Sequence, residues 1–265
     1  MKTGFIGCGN MGGTLARTAA KEAGGSAIFV ADPDAKKTEA IQKEYGVQVV
    51  DTETLVQSCD VIFLGVKPQV LPAAAKEIRP VLTARTDAPL IVSMAAGVTS
   101  TDVSAMLGGA RVLRIMPNIP CGVGEGVIFY ATEGGATAED EEAFTSLMKG
   151  AGLLSKIPEN KIDAGSAITG CGPAFICLIA EALTDAGVRL GFRHDEAQAY
   201  ALKMMLGTAK YALESGTDPA TFRAQVCSPA GSTIEGVVAL EKGGVRSSII
   251  EAVQASYEKN KELGK

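Results

Sequence analysis

The sequence predicts a doubly wound α/β domain over residues 1–160 followed by an all-helical domain over residues 161–265, and three observations carry that expectation. The chain opens with an extended run, Lys2-Thr3-Gly4-Phe5-Ile6, that empties into Gly7-Cys8-Gly9-Asn10-Met11-Gly12-Gly13 and then into the helical spacing of Leu15, Ala16, Ala19 and Ala20. Short apolar runs and helical patterns then alternate as far as Ile157, as in a parallel sheet covered on both faces. Beyond Pro158-Glu159-Asn160 strand signals are scarce and helical periodicity takes over.

The opening turn is the first candidate site. Between a strand and a helix, glycines permit a tight bend, let the backbone approach a pyrophosphate and let the helix pack close to the sheet. The unpaired NH groups and partial positive charge of the helix start suit phosphates. Gly7, Gly9, Asn10 and Met11 are therefore the candidate pyrophosphate residues of a Rossmann-type site, with an ordinary glycine-rich turn as the alternative.

Further strands are expected over 27–31 and 47–50, with helices over 34–45, capped near Asp34, and 52–58. Asp60-Val61-Ile62-Phe63-Leu64-Gly65-Val66 is apolar without alternation, the mark of a strand buried on both faces. A helix over 70–78, a strand over 90–93, a helix after Thr99 and a strand over 111–116 continue the alternation. Residues 117–126 are too rich in Gly and Pro for a regular element and are expected to wall the site. A strand over 127–131, a helix over 139–150 and a strand over 153–157 complete the domain.

In such a sheet the ligand lies beyond the carboxyl ends of the strands. Three of those ends carry unusual tripeptides: Val66-Lys67-Pro68, Ala95-Ala96-Gly97 and Met116-Pro117-Asn118. Each alone is an ordinary turn; three in succession point to a surface for ribose and nicotinamide, with Val66, Lys67, Pro68, Ala96 and Asn118 as contacts. Asp32 follows Gly12 by about 20 residues, where a carboxylate accepts hydrogen bonds from the ribose hydroxyls of NAD and repels the 2′-phosphate of NADP. Lys36 and Lys37 lie one helical turn on and can reach a phosphate, and a surface Asp-Pro turn is the plain alternative.

Composition narrows the classes. Hydrophobic residues make up 46% and charged residues 21%, ordinary for a globular protein, and a net charge of −5 gives no footprint for nucleic acid or an anionic membrane. No apolar run reaches the roughly 20 residues a membrane span needs, so no membrane partner is expected. With the first strand beginning at Lys2, no signal peptide is expected, and a cytoplasmic location follows. Six cysteines without a CxxC pair give no metal site and read as small buried or turn residues. The single histidine, His194, sits at a helix entrance where solvation or capping is the expected role. A mechanism that needs a histidine base has only this awkward candidate.

Helices are expected over 163–169, 173–190, 195–214, briefly after Asp218, over 233–241 and over 245–263, with Pro173 at a start, Asp195 as a cap and Gly216 past an end. The run 174–180 is apolar nearly all round and must be covered on every side. A domain of about 100 residues has limited interior, which points to a partner subunit as the cover. Two small-residue loops stand out: Thr169-Gly170-Cys171-Gly172-Pro173, and Cys227-Ser228-Pro229-Ala230-Gly231-Ser232-Thr233. The second places hydroxyls and free NH groups at a helix start, which suits a carboxylate better than capping alone explains.

Taken in order, Phe5-Ile6-Gly7-Cys8-Gly9-Asn10-Met11-Gly12, Val66-Lys67-Pro68, Ala95-Ala96-Gly97-Val98-Thr99, Met116-Pro117-Asn118, Thr169-Gly170-Cys171-Gly172-Pro173-Ala174 and Ser228-Pro229-Ala230-Gly231-Ser232-Thr233 resemble the pyrroline-5-carboxylate reductase family from the first strand nearly to the C-terminus. The resemblance implies reduction of the cyclic imine 1-pyrroline-5-carboxylate to L-proline by NADPH, with NADH possible given Asp32. It implies a substrate carboxylate held at Gly231, Ser232 and Thr233, catalytic roles for Thr233 and Ser166, the latter as proton donor, and a homodimer built through the helical domain. A protonated imine is already electrophilic, which accounts for the missing histidine base. Cys171 stands where many relatives have Ser or Thr, Ala230 where they have Gly, and Asp32 replaces a small or neutral residue. A β-hydroxyacid or prephenate-type dehydrogenase needs a poised lysine or histidine that the second half lacks, and a sensor that has lost catalysis fits poorly with an intact Gly231-Ser232-Thr233 loop.

Overall fold

The computed structural model describes residues 1–263, which form two compact units: residues 1–170 together with the end of the last helix from Ser256, and residues 171–255. The first unit runs β1 (Thr3–Ile6), α1 (Asn10–Ala23), β2 (Ile28–Ala31), α2 (Ala35–Tyr45), β3 (Gln48–Val49), α3 (Thr52–Ser58), β4 (Val61–Leu64), α4 (Leu71–Thr83), β5 (Leu90–Ser93), α5 (Ser100–Met106), β6 (Val112–Met116), β7 (Gly126–Gly134), α6 (Ala138–Met148), β8 (Gly152–Lys156) and α7 (Ile162–Thr169). Its eight strands form one sheet in the order β3-β2-β1-β4-β5-β6-β7-β8. The strands from β3 to β6 are parallel; β7 returns antiparallel to β6 through a short turn at Ile119–Val123, and β8 runs parallel to β7.

The unbroken apolar strands follow from burial on both faces. Phe5, Phe63, Val92 and Leu113 enter the core under α1, α2 and α6, while Ile6, Ile62, Leu64 and Ile91 enter the one under α3, α4 and α5. Phe5 stacks on Phe63 with centroids 4.5 Å apart. Helix starts are set by local side chains: Asp34 accepts from Lys36 N at 3.2 Å, Asp51 from Thr54 N at 2.7 Å, and Thr99 from Asp102 N at 3.1 Å. Thr137 and Asp140 close a capping box on α6.

The second unit holds α8 (Gly172–Arg189), α9 (His194–Ser215), α10 (Pro219–Val226), α11 (Ser232–Lys242) and the first part of α12 (Val245–Leu263). Helices α8 and α9 pack closely, because a Cβ on Gly187 would stand 2.8 Å from the Ala197 Cβ. Asp195 is not the cap of α9. The helix begins at His194, and Asp195 lies inside the first turn, where its carboxylate accepts from Arg193 Nη2 at 3.0 Å. Burial within the chain is sparse: α8 buries only Ala180 and Thr184, and α10 and α11 bury nothing.

One helical run among the described residues, Glu159–Arg189, is long and apolar enough by length and composition to cross a membrane. This differs from the sequence reading, because no charged residue stands between Asp163 and Glu181 and the small residues there keep the hydropathy high. Cys8, Cys59 and Cys121 are buried free thiols, whereas Cys177 on α8 is exposed within the single chain.

Candidate active site

The parallel pairing brings the carboxyl ends of β1, β2, β4, β5 and β6 to one edge of the sheet. Gly7 leaves β1 with φ +92° and donates its NH to Ala31 O at 2.8 Å, which locks the turn against the end of β2. A Cβ on Gly12 would stand 2.0 Å from Gly7 O, so α1 can seat on the sheet only with glycine there. Gly9, the N-cap of α1, has nothing within 4 Å of its Cβ position. No side chain caps α1 and no acidic residue occupies its first turn. This is the donor set a pyrophosphate requires, so the residues present fit a dinucleotide. Gly65, which the sequence reading counted only as part of a strand, presses on the same turn: its Cβ position is 2.5 Å from Gly7 O.

Asp32 sits just past β2 with its side chain 6% exposed. Oδ2 accepts from Cys8 N at 2.7 Å, Oδ1 accepts from Asp34 N at 2.9 Å, and Lys37 Nζ lies 3.3 Å from Oδ1. Burial opposes its ionisation, but the NH groups of Asp34 and Cys8 and the Lys37 ammonium outweigh it and hold the carboxyl below its ordinary 3.8. The Cys8 thiol is pushed up to about 12 by burial and then by the Asp32 charge, so it stays protonated. Lys37 is thus engaged with Asp32 and, at 3.7 Å, with Asp34.

At the next strand ends, Lys67 O accepts from Val70 N and Leu71 N and starts α4, while the Lys67 side chain stays exposed. Gly97 turns with φ +74°. Ala96 packs with Met116, Ala131 and Ile162, which brings the segment after β5, the end of β6 and the start of α7 into one cluster. The Asn118 amide is committed to the protein: Nδ2 donates to Thr169 O at 3.0 Å, and Oδ1 accepts from Val127 N at 2.8 Å. Ser166 is buried on α7, with its Oγ 3.0 Å from where a Cβ on Gly170 would be.

In the helical unit, Ser232 and Thr233 are the first two residues of α11, and neither is its cap. The N-cap is Gly231, and no side chain caps the helix. Ala230 holds φ +56°, the one residue other than glycine with positive φ among those described. The loop therefore presents an uncapped helix start behind a strained turn.

Pyrroline-5-carboxylate reductase 3 from Danio rerio is 38% identical over 268 residues, covering 100% of this chain and 92% of its own length. The chain belongs to the pyrroline-5-carboxylate reductase family. The family region described as pyrroline-5-carboxylate reductase dimerisation matches residues 159–263, and the one described as NADP oxidoreductase coenzyme F420-dependent matches residues 2–97. The pyrroline-5-carboxylate reductase structure from Coxiella burnetii is 30% identical with a TM-score of 0.90, covering 100% of this chain and 98% of that one. The NADP-bound pyrroline carboxylate reductase structure from Plasmodium falciparum is 28% identical with a TM-score of 0.88 and the same coverage. This family member is an oxidoreductase with a nicotinamide dinucleotide and a small-molecule substrate, and it oligomerises.

Beyond the motifs lies a part-buried charge network, centred on the buried Arg114, that the motifs do not mark. Arg114 on β6 pairs with Glu159 and Asp163, and Glu159 in turn holds Ser100. Glu159 stands in the Pro158-Glu159-Asn160 segment read from sequence as a plain boundary turn.

Proposed function

We propose that this chain reduces 1-pyrroline-5-carboxylate to L-proline with NADPH, the last step of proline synthesis, in the cytoplasm and as a homodimer joined through residues 161–265, with residues 1–160 binding the nucleotide. The observation that carries this reading is the presence in one chain of two uncapped helix starts, α1 after the glycine turn and α11 after Gly231, within a full-length likeness to this family. One suits a pyrophosphate and the other a substrate carboxylate.

Gly7, Gly9, Asn10 and Met11 bind the pyrophosphate, and Val66, Lys67, Pro68 and Ala96 border the nicotinamide ribose and ring. Asn118 serves that border through its backbone, because its amide already holds Thr169 and Val127. When bound, the reduced nicotinamide supplies a hydride to the ring carbon double-bonded to nitrogen. Gly231, Ser232 and Thr233 hold the carboxylate and so fix the ring, and positioning of this kind supplies much of the rate. Ser166 manages the one proton needed at the ring nitrogen. The added hydride and proton together saturate the C=N bond, and no histidine base is required.

Asp32 does not demand NADH in this geometry. Both of its oxygens are occupied by protein donors, and Lys37 offsets its charge, so a 2′-phosphate meets a paired carboxylate. The defining experiment follows loss of reduced-nicotinamide absorbance on adding 1-pyrroline-5-carboxylate, with 3-oxoacids as controls. Turnover with the imine alone is expected; silence with it overturns the assignment. In the same assay kcat/KM favours NADPH, and Lys37→Met cuts that preference about tenfold by freeing the Asp32 charge. An unchanged ratio removes Lys37 from cofactor choice.

A further inference from the structure

We propose that Arg114, Glu159 and Asp163 form a positioning network that pins α7 along the end of β6 and so sets the place of Ser166; this rests on the reading of Ser166 as proton donor. Arg114 lies between Val112 and Met116 on one sheet face, its side chain 3% exposed. A guanidinium buried there is tolerable only with close partners. Nη2 donates to Asp163 Oδ1 at 2.8 Å and Nη1 to Glu159 Oε1 at 3.4 Å. Nε has no partner among the described residues, so the group is held by these two contacts.

Each partner reaches a different part of the site. The Glu159 carboxylate accepts from Ser100 N and from Ser100 Oγ, both at 2.6 Å, and thereby fixes the start of α5 just after Ala95-Ala96-Gly97. Asp163 lies in the first turn of α7, and its carbonyl accepts from Asn260 Nδ2 at 3.1 Å. The other end of α7 is fixed separately by Asn118 Nδ2 on Thr169 O at 3.0 Å. Arg114 and Asn118 belong to the same strand and the turn that ends it. Helix α7 is therefore tied to β6 at both ends, and Ser166 lies between the ties. The same guanidinium registers the segment after β5 through Glu159. A merely stabilising ion pair has no need to branch to two site segments.

The test is a double-mutant cycle on the full chain with NADPH and 1-pyrroline-5-carboxylate. Asp163→Ala releases one tie while leaving Arg114 paired with Glu159, which avoids the misfolding that Arg114→Met invites. We expect kcat to fall about tenfold with NADPH affinity, read by fluorescence titration, changed less than about twofold. Asp163→Asn, which keeps the acceptor for Arg114, restores most of the rate. In a Ser166→Ala background the same Asp163→Ala change costs less than about twofold, because the group it positions is already gone. Equal losses in both backgrounds, or a lower melting temperature with kcat intact, overturn the positioning role. A Ser166→Ala enzyme at the wild-type rate overturns the donor assignment instead, so the two failures are distinct.

Discussion

Helices α1 and α8 both follow a glycine-containing loop and both are rich in small and apolar residues, yet their fates in the single chain differ. Helix α1 buries Gly12, Gly13, Leu15, Ala16, Thr18, Ala19 and Ala20 against its own sheet. Helix α8, four residues longer (18 against 14), buries Ala180 and Thr184 and leaves Ile176 and Leu178 exposed at 51% and 67%. The difference lies in what each can pack against. A sheet offers two broad apolar faces within one chain, whereas a few helices of roughly 100 residues offer little interior. Residues 159–263 match the family's dimerisation region, and in the homodimer proposed above the apolar surface of the second unit is what a partner copy covers.

The contrast breaks first at that surface. Leu178→Asp is expected to raise the dimer dissociation constant at least a hundredfold, from about 3 kcal/mol for a charge buried without a partner. Lys43→Asp on α2 leaves assembly unchanged; both are read by sedimentation, and an intact Leu178→Asp dimer moves the interface elsewhere. Within the first unit, Gly12→Ala and Gly9→Ala separate packing from binding. Gly12→Ala pushes against Gly7 O and is expected to cost about 1–3 kcal/mol of stability, whereas Gly9→Ala meets open space. Gly9→Ala melts like wild type but binds NADPH roughly tenfold more weakly, about 1.4 kcal/mol. Equal melting losses in the two would merge their roles.

In the second unit Thr233→Ala is expected to raise the Michaelis constant for the imine about tenfold, as for a lost hydrogen bond to a charged group, with the NADPH constant within about twofold. An unchanged imine constant removes Thr233 from the carboxylate site. The smallest effect belongs to Ala230→Gly. Relief of the left-handed strain at φ +56° competes with the greater freedom of glycine in the unfolded chain, so stability rises by about 1 kcal/mol or less. A lower melting temperature would show that the Ala230 methyl is packed to advantage.

Much of this was legible along the chain because the signals are local. The glycine turn, the two-face strands and the caps at Asp34 and Asp51 each depend on residues a few positions apart. Asp195 misled because Asp is a common cap, while Arg193 takes the cap position and draws the Asp195 carboxylate to its own guanidinium. Asp32 stands just past the end of β2, but its hydrogen bond to Cys8 N spans 24 positions and leaves no mark in local spacing. Arg114 finds Glu159 and Asp163 at separations of 45 and 49, so the part-buried charge cluster that the three form leaves no mark in local spacing.

Residue order alone determined the succession of strands and helices, the glycine turn after β1 and the apolar excess of the second half, because periodicity and glycine spacing are properties of neighbours. Which atoms answer Asp32, Asn118 and Arg114 was decided only by the tertiary structure. Those side chains are satisfied by groups that the sheet order and the return of α7 bring within hydrogen-bond reach, and chain separation carries no record of that distance.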